Sequence, residues 1–260
     1  MPRFVLFASC MRLEIVALSG MPEVRPGDDL AAFIRTAAER ANAGASLDET
    51  VVVVVAQKVV SKAEGAIVDL REIRPSALAE SWAAEWGKDA RLIELILAQS
   101  RRIVKMDRGV IISETQHGFV CANAGVDQSN VEDDRFATVL PDDPDASARR
   151  LRESLGCGAV LITDTFGRPW REGLVDVAIG AAGLEPLEDL RGRADRNGRK
   201  LSSTIIAVAD QLAAAAGLVM RKDAGCPVAL IRGFARQPAA DPSSSSARAL
   251  LRKPEQDLFR

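Results

Sequence analysis

The chain has 260 residues, of which 47% are hydrophobic and 27% are charged, so it can bury a substantial core as an ordinary soluble globular protein. Its 34 lysines and arginines nearly balance 36 aspartates and glutamates, which leaves no overall basic field for binding nucleic acid. The apolar runs are shorter than the roughly 18 residues that span a bilayer, so we expect no membrane protein.

The 4 cysteines are widely scattered, without a C-x-x-C pair, and the chain has a single histidine. We therefore expect reduced thiols in a cytoplasmic protein rather than a disulfide framework or a zinc site. The single histidine also excludes a metal site built from several histidines.

Two kinds of apolar pattern predict the order of elements along the chain. Short runs rich in β-branched residues predict strands at residues 13–18, 51–55, 103–105, 110–113, 119–121, 158–162, 175–179 and 228–231. Apolar residues at helical spacing predict helices at residues 28–42, 76–99 with a break at Gly87, 146–155 and 201–218. The five consecutive valines at 51–55 are typical of a strand that is buried on both faces.

Three predicted strands are followed by loops with polar side chains, at residues 57–65, 122–130 and 163–171. The middle loop combines Asp127 with three amides and a hydroxyl and has no lysine or arginine, which suits a hard cation better than a bare anion. A solvated hairpin end is the alternative interpretation of this loop. Solvated lysines at the end of a strand are the alternative for the first loop.

Two carboxylates from different loops, Asp127 and Asp164, are the residues that we expect to lie together around a divalent metal. Proteins usually hold Mg²⁺ or Mn²⁺ at a phosphoryl-transfer site with two carboxylates, waters and phosphate oxygens. Neutral oxygen ligands would come from Thr165 and Asn130. The cations that could neutralise phosphate are Lys58, Lys62, Arg168 and Arg171.

The sequence contains none of the standard nucleotide or nucleophile motifs. It has no G-x-x-x-x-G-K-[ST], no dinucleotide fingerprint and no G-x-S-x-G elbow. A nucleotide would therefore bind through an unusual fold, and covalent catalysis by a protein nucleophile is not supported.

These loops, taken together, resemble the coenzyme F420-0:L-glutamate ligase family, the γ-glutamyl ligases of deazaflavin coenzyme biosynthesis. The likeness runs in order from about residue 13 to residue 234. Its most specific motifs are GFVCANAGVDQSN at 118–130 and ITDTFGRPWREG at 162–173. The other matching stretches are VVVAQKVVSKAEG at 53–65, DRNGRKLSSTIIAVAD at 195–210 and PVALIRG at 227–233.

The resemblance implies a two-part α+β fold that forms an intertwined homodimer. The ligase domain would cover residues 13–235 and follow an N-terminal extension at residues 1–12. The composition of residues 236–260, with proline, alanine and four consecutive serines near its start, predicts a disordered tail.

The implied activity is GTP-dependent amide formation between L-glutamate and the deazaflavin precursor F420-0, through an acyl phosphate that releases GDP and phosphate. Later glutamates would be γ-linked. By the same resemblance the metal ligands are Asp127, Asp164 and Thr165, with Mn²⁺ or Mg²⁺ as the metal and K⁺ as a further candidate. The implied catalytic residues are Asp127, Asp164 and Lys62. The implied GTP contacts are Ser19, Gly20, Met21, Pro22, Gln57, Lys58, Lys62, Asn130, Met220, Lys222 and Asp223.

The loop after the alanine-rich helix departs from the family pattern. The family usually reads M-G-E or M-G-Q before an acidic loop, whereas Met220 is followed here by Arg221, Lys222 and Asp223. A cation at this position puts a second metal contact in question and favours the alternative of a related ligase for a different carboxylate acceptor. A GTP-binding homologue without ligase activity is a second alternative, against which the intact metal-binding residues argue.

Overall fold

The computed structural model of the protein describes residues 12–41, 47–129, 133–235 and 245–257. The strands are β1 (Glu14–Leu18), β2 (Val52–Ala56), β3 (Ile67–Asp69), β4 (Ser100–Asp107), β5 (Val110–Thr115), β6 (Val120–Ala122), β7 (Phe136–Thr138), β8 (Ala159–Arg168), β9 (Arg171–Ala182), β10 (Leu187–Asp189), β11 (Ile205–Ala207) and β12 (Val228–Arg232). The helices are α1 (Leu30–Arg40), α2 (Gln57–Ala63), α3 (Ala77–Trp86), α4 (Ala90–Gln99), α5 (Pro144–Leu155) and α6 (Val208–Gly217). Short 3₁₀ helices lie at Leu70–Glu72, Asn123–Gly125, Ala247–Leu250 and Pro254–Gln256. The predicted α+β class is confirmed, and the homodimer stays a prediction.

A five-stranded sheet in the order β1-β12-β2-β8-β9 forms the centre of the molecule. The central pair, β2 and β8, is parallel, and the other neighbouring strands are antiparallel. Ala56 and Thr163 are partners in the parallel register. β2 therefore ends beside Thr163, midway along β8, and in both segments polar residues follow this point.

The valine-rich strand β2 is buried on both faces, as predicted. Val53 and Val55 pack in the cluster that includes α1 and α5, whereas Val52 and Val54 pack in the cluster that includes α6. All four side chains are fully buried. Alternate side chains point to opposite faces of a strand, so a strand covered by helices on both sides needs an apolar residue at every position.

A second layer is formed by the β4-β5-β6 sheet and the helix pair α3 and α4, which share a separate core cluster. The predicted break between the two helices is confirmed, because Gly87 ends α3 in the left-handed conformation with φ of 62°. β6 then leads into the 3₁₀ helix at Asn123–Gly125, and the loop that follows this helix contains Asp127. The predicted strands at residues 103–105 and 110–113 are also confirmed, within β4 and β5, which pair in antiparallel register.

The alanine-rich helix is shorter than predicted. We expected it at residues 201–218, but α6 begins only at Val208. Ile205 and Ile206 lie instead in β11, which pairs with β10 in antiparallel register. β-Branched side chains favour an extended backbone when a partner strand is present. Here that partner is β10, which precedes β11 in the chain.

Part of the C-terminal segment departs from the predicted disordered tail at residues 236–260, of which residues 236–244 and 258–260 lie outside the described residues. Residues 245–257 are described, and Ser245 and Ala247 are fully buried. Asp145 at the start of α5 accepts hydrogen bonds from the backbone N–H of Ala247 and the hydroxyl of Ser246, at 2.9 Å and 2.5 Å. Low-complexity composition therefore did not prevent this segment from packing.

Other expectations from the sequence lie partly outside the described residues. The N-terminal extension falls there except for its last residue, and so does Cys10. The other cysteines, Cys121, Cys157 and Cys226, are free thiols, as expected. In the part of the chain that the structure describes, no helix has both the length and the apolar composition needed to cross a membrane.

Candidate active site

The first polar segment is a helix and not the loop that the sequence suggested. β2 passes directly into α2, which contains both Lys58 and Lys62. Residues four apart lie on one face of a helix, so the two ammonium groups point to the same side. Within this helix the Ser61 hydroxyl donates to the Gln57 side-chain oxygen at 2.8 Å, and both residues are buried.

The second segment holds Asp127 in a rigid position. Asn123 and Ala124 both have φ of 53°, in the left-handed region, and they turn the chain after β6. The backbone of Asp127 then exchanges two hydrogen bonds with Thr138, at 3.0 and 2.8 Å. These two bonds fix the backbone of Asp127, and its carboxylate contacts Lys58 in the first turn of α2.

The carboxylate of Asp127 accepts three interactions. The backbone N–H and the hydroxyl of Ser129 donate to it at 2.7 and 2.9 Å, and the Lys58 ammonium lies 3.0 Å away. Burial alone would raise the pKa of Asp127, but these hydrogen bonds and the Lys58 charge outweigh it and hold the pKa below its ordinary value. Asp127 is therefore a carboxylate anion at neutral pH.

The third segment is the end of a strand, because β8 continues to Arg168 and forms a hairpin with β9. The carboxyl group of Asp164 accepts the backbone N–H of Thr165 at 2.8 Å. Burial is the main cause that raises the pKa of Asp164 to about 6, and the nearby charges of Asp127 and Asp176 add to it. The Lys222 charge and the Thr165 N–H oppose this rise. The two carboxylates predicted from the sequence thus lie close enough to affect each other.

Lys62 is almost completely buried, with 6% of its surface exposed, and forms an ion pair with Glu23. Glu23 belongs to the turn that follows β1 and is itself largely exposed. A buried ammonium needs a charged or polar partner, and this one is fixed at the wall of the cavity described next.

A cavity of about 770 Å³ opens where these segments meet. It is bounded by the ends of β2 and β8, by α2, by β9, by the end of α6, and by the turns at residues 21–24 and 220–227. Of the site residues predicted from sequence, the following line it: Met21, Pro22, Gln57, Lys58, Lys62, Asp127, Asp164, Thr165, Met220 and Lys222. The cavity is large enough for a nucleotide or another ligand of similar size.

Several predicted residues lie elsewhere. Ser19, Gly20 and Asp223 are exposed and are not part of the cavity wall, and Asp223 instead pairs with Arg221 at 2.9 Å. Arg168 donates to backbone carbonyls within the β8–β9 hairpin turn, away from the cavity. The candidate ligand Asn130 lies outside the described residues.

Sequence reasoning missed two acidic residues of the cavity, Glu23 and Asp176. Asp176 accepts the Thr165 hydroxyl at 2.6 Å from the neighbouring strand β9. A single carboxylate inside the otherwise apolar run LVDVAIGAA at residues 174–182 is a signal that could have identified it. Glu23 had no such signal, since its partner is 39 residues away in sequence.

The oxygen atoms of this site fit a hard divalent cation. Among the described residues, no group of three or more histidine, cysteine, aspartate or glutamate side chains is arranged to hold a metal ion. Two carboxylates and the Thr165 hydroxyl are nevertheless suitable protein ligands for Mg²⁺ or Mn²⁺, whose other ligands are commonly waters and phosphate oxygens. Burial is the main cause that raises the pKa of Asp164, and a bound cation would relieve the smaller contribution that the charge of Asp127 makes.

Comparison with known proteins identifies the family of the chain. The model of the family described as F420-0:Gamma-glutamyl ligase matches residues 20–233. The protein named Coenzyme F420:L-glutamate ligase from Methanothermobacter thermautotrophicus is 48% identical over 256 residues, which cover 96% of this chain and 100% of that relative. The protein of the same name from Methanopyrus kandleri is 47% identical, with 96% of this chain and 98% of the relative covered. That from Methanocaldococcus jannaschii is 41% identical over 80% of this chain and 84% of its own length. The chain therefore belongs to the F420-0:gamma-glutamyl ligase family and is a ligase that forms a carbon–nitrogen bond.

Proposed function

We propose that this protein joins the amino group of L-glutamate to the carboxylate of the deazaflavin precursor F420-0 in a GTP-dependent reaction. The observation that carries the proposal is the cavity in which two lysines of α2 face two carboxylates, in a chain that aligns with the full length of a named Coenzyme F420:L-glutamate ligase. The lysines could bind the phosphates of a nucleotide, and the carboxylates could bind the divalent cation that accompanies it.

A carboxylate is a poor electrophile, so its activation by phosphorylation is the first step of the proposed reaction. An acceptor carboxylate oxygen attacks the γ-phosphorus of GTP, and the bond from that phosphorus to the bridging oxygen of GDP breaks. The amino nitrogen of L-glutamate then attacks the carbonyl carbon of the acyl phosphate and loses a proton. The carbon–oxygen bond to phosphate breaks and inorganic phosphate leaves. No protein nucleophile takes part in either step.

The lysines of α2 supply positive charge for the phosphates in this scheme. Lys58 and Lys62 lie one helical turn apart and both line the cavity. Their ammonium groups would exchange the carboxylates of Asp127 and Glu23 for phosphate oxygens. Such charge-assisted hydrogen bonds position the γ-phosphate and stabilise the charge that develops on it.

The acidic residues hold the cation in the same scheme. Asp127 and Asp164 would bind Mg²⁺ or Mn²⁺, and the Thr165 hydroxyl would serve as a neutral oxygen ligand. The bound metal would offset negative charge on the transferring phosphoryl group. We also propose, by family resemblance, that the protein acts as a homodimer.

A turnover assay with purified protein, GTP, Mn²⁺, L-glutamate and F420-0 tests the proposal, with products identified by mass. We expect a mass gain of one glutamyl group for wild type and further gains if γ-linked additions follow. Asp164→Ala should abolish the gain. Asp189→Ala removes an exposed carboxylate outside the cavity and should retain it.

A different carboxylate acceptor is the second candidate, because Arg221 and Lys222 line the cavity at the departure from the family pattern. GTP hydrolysis that needs another carboxylic acid, with no mass gain on F420-0, would favour this candidate. GTP binding without hydrolysis for any acceptor would point instead to a non-catalytic homologue.

A further inference from the structure

The hydroxyl of Thr165 is held by a carboxylate on the neighbouring strand. Thr165 Oγ1 donates its hydrogen bond to Asp176 Oδ1 at 2.6 Å, and both residues line the cavity. They are direct partners in the antiparallel β8–β9 register. Side chains of directly paired residues lie on the same face of a sheet, so the contact follows from the backbone and needs no unusual rotamer.

A β-bulge produces this pairing. The register pairs Ile162 with Gly180 but the next residue, Thr163, with Ala178, so β9 contains one extra residue at this point. Without that shift Val177, not Asp176, would face Thr165. Bulges re-aim side chains at the edges of sheets and next to active sites, and here the bulge brings a carboxylate opposite the hydroxyl.

The second oxygen of Asp176 lies close against the backbone of Gly217. A Cβ atom placed on Gly217, the last residue of α6, would lie 2.1 Å from Asp176 Oδ2. The carboxylate thus sits against the carboxyl end of a helix, where the helix dipole disfavours negative charge. Asp164 adds a second negative charge nearby. The stability of the fold therefore does not by itself account for an acid at position 176.

A threonine hydroxyl has one proton to donate and two lone pairs with which to accept. Because the proton of Thr165 is directed to Asp176, the lone pairs are left for a ligand on the cavity side. Partners behind a metal-ligating group commonly fix its orientation in this way and increase its basicity.

We propose that Asp176 is a positioning residue, which orients the Thr165 hydroxyl so that its oxygen accepts a divalent cation. This inference rests on the metal site of the proposed function and adds to it a residue that acts through the Thr165 hydroxyl. It concerns metal binding, so it can be measured without turnover.

The test is a double-mutant cycle in which the dissociation constant for Mn²⁺ is measured by electron paramagnetic resonance, without nucleotide. Asp176→Ala should weaken Mn²⁺ binding about 10- to 100-fold, as losing a partner behind a metal ligand typically does. Thr165→Val should weaken it as well. In the Thr165→Val background, Asp176→Ala should weaken Mn²⁺ binding by a further factor of about two or less, because the hydroxyl that Asp176 orients is absent.

Two further variants separate orientation from charge. Asp176→Asn keeps an oxygen that can accept the hydroxyl proton, and its loss of affinity should stay below about tenfold. It also carries the test if Asp176→Ala does not give a folded protein by circular dichroism. Asp189→Ala changes the net charge by the same amount at an exposed position and should bind Mn²⁺ like wild type.

An equal loss from Asp176→Ala in both backgrounds, or no loss in either, would overturn the inference. A loss for Asp176→Asn as large as that for Asp176→Ala would do the same, since it would assign the effect to charge. Failure of wild type to bind Mn²⁺ would remove the proposed metal site together with the inference. Wild-type Mn²⁺ binding with no effect at position 176 would remove the inference alone.

Discussion

Replacing Asp145 by alanine is expected to destabilise the protein strongly, because this carboxylate joins three parts of the fold. Its Oδ1 accepts the backbone N–H of Ala181 and of Ala247, both at 2.9 Å, and its Oδ2 accepts the Ser246 hydroxyl at 2.5 Å. Asp145 is 6% exposed, and Ala181 and Ala247 are fully buried. Water therefore cannot readily replace the lost acceptor.

The size of the effect follows from the two N–H groups. Each buried donor left without a partner costs about 1–3 kcal/mol, so Asp145→Ala should lower the free energy of unfolding by about 2–6 kcal/mol. At roughly 2–4 °C per kcal/mol for a chain of this size, the melting temperature should fall by on the order of 10 °C. Urea unfolding followed by circular dichroism measures the free energy directly.

Three variants serve as controls for this prediction. Asp145→Asn keeps an acceptor oxygen for both N–H groups and should cost less than Asp145→Ala. Asp143→Ala removes the exposed N-cap of the same helix, whose side chain accepts the Ala146 N–H at 2.9 Å, and should cost only about 1 kcal/mol. Deleting residues 245–260 should be strongly destabilising in wild type, and much less so in the Asp145→Ala background. If Asp145→Ala costs no more than Asp143→Ala, the C-terminal segment is not held by this carboxylate and the reasoning is refuted.

Three further predictions follow, two on ligand binding at the site and one on the stability of the turn that precedes Asp127. Lys62→Ala should weaken GTP binding about 10- to 100-fold in a calorimetric titration, since a hydrogen bond to a charged group contributes roughly 1.5–3 kcal/mol; unchanged affinity would contradict its role with phosphate. Because burial raises the pKa of Asp164 to about 6, protons compete with Mn²⁺ below that pH, and the affinity for Mn²⁺ should fall about fivefold from about pH 6 to about pH 5. Asp164→Asn should lose this pH dependence, and a pH-independent affinity in wild type would exclude Asp164 as a ligand. Gly125→Ala would place a Cβ 2.7 Å from Leu140 Cγ at a φ of +72°, and should cost about 1–3 kcal/mol more in urea unfolding than Gly198→Ala. Gly198 has the same backbone sign and no neighbour within 4 Å, so equal costs would show that the contact with Leu140 relaxes freely.

Where the local pattern was strong, the sequence predicted the structure well. The valine run became the doubly buried strand β2, and Gly87 separated α3 from α4. Asp127 and Asp164 were expected together because polar residues followed separate strands. Both line one cavity, although only Asp164 belongs to the central sheet, where it lies within β8.

The errors came from segments whose conformation depends on a distant partner. Residues 163–168 extend β8 beyond its apolar part because β9 supplies the hydrogen bonds. Residues 205–207 left the predicted helix for pairing with β10. In each case a tertiary contact outweighed a weak local preference.

By itself the sequence predicted the family, the fold class and ten of the residues that line the cavity, because apolar periodicity and contiguous motifs indicate them. The tertiary structure alone decided which charges meet. Lys62 pairs with Glu23, which lies 39 residues earlier in the chain. Asp145 accepts the backbone N–H of Ala247, which lies 102 residues later. The pairing of Thr165 with Asp176 depends on a single-residue bulge in β9. Contacts of this kind depend on strand register and chain crossing, and a one-residue change of register exchanges the side chains on each face of a strand, so no local pattern encodes them.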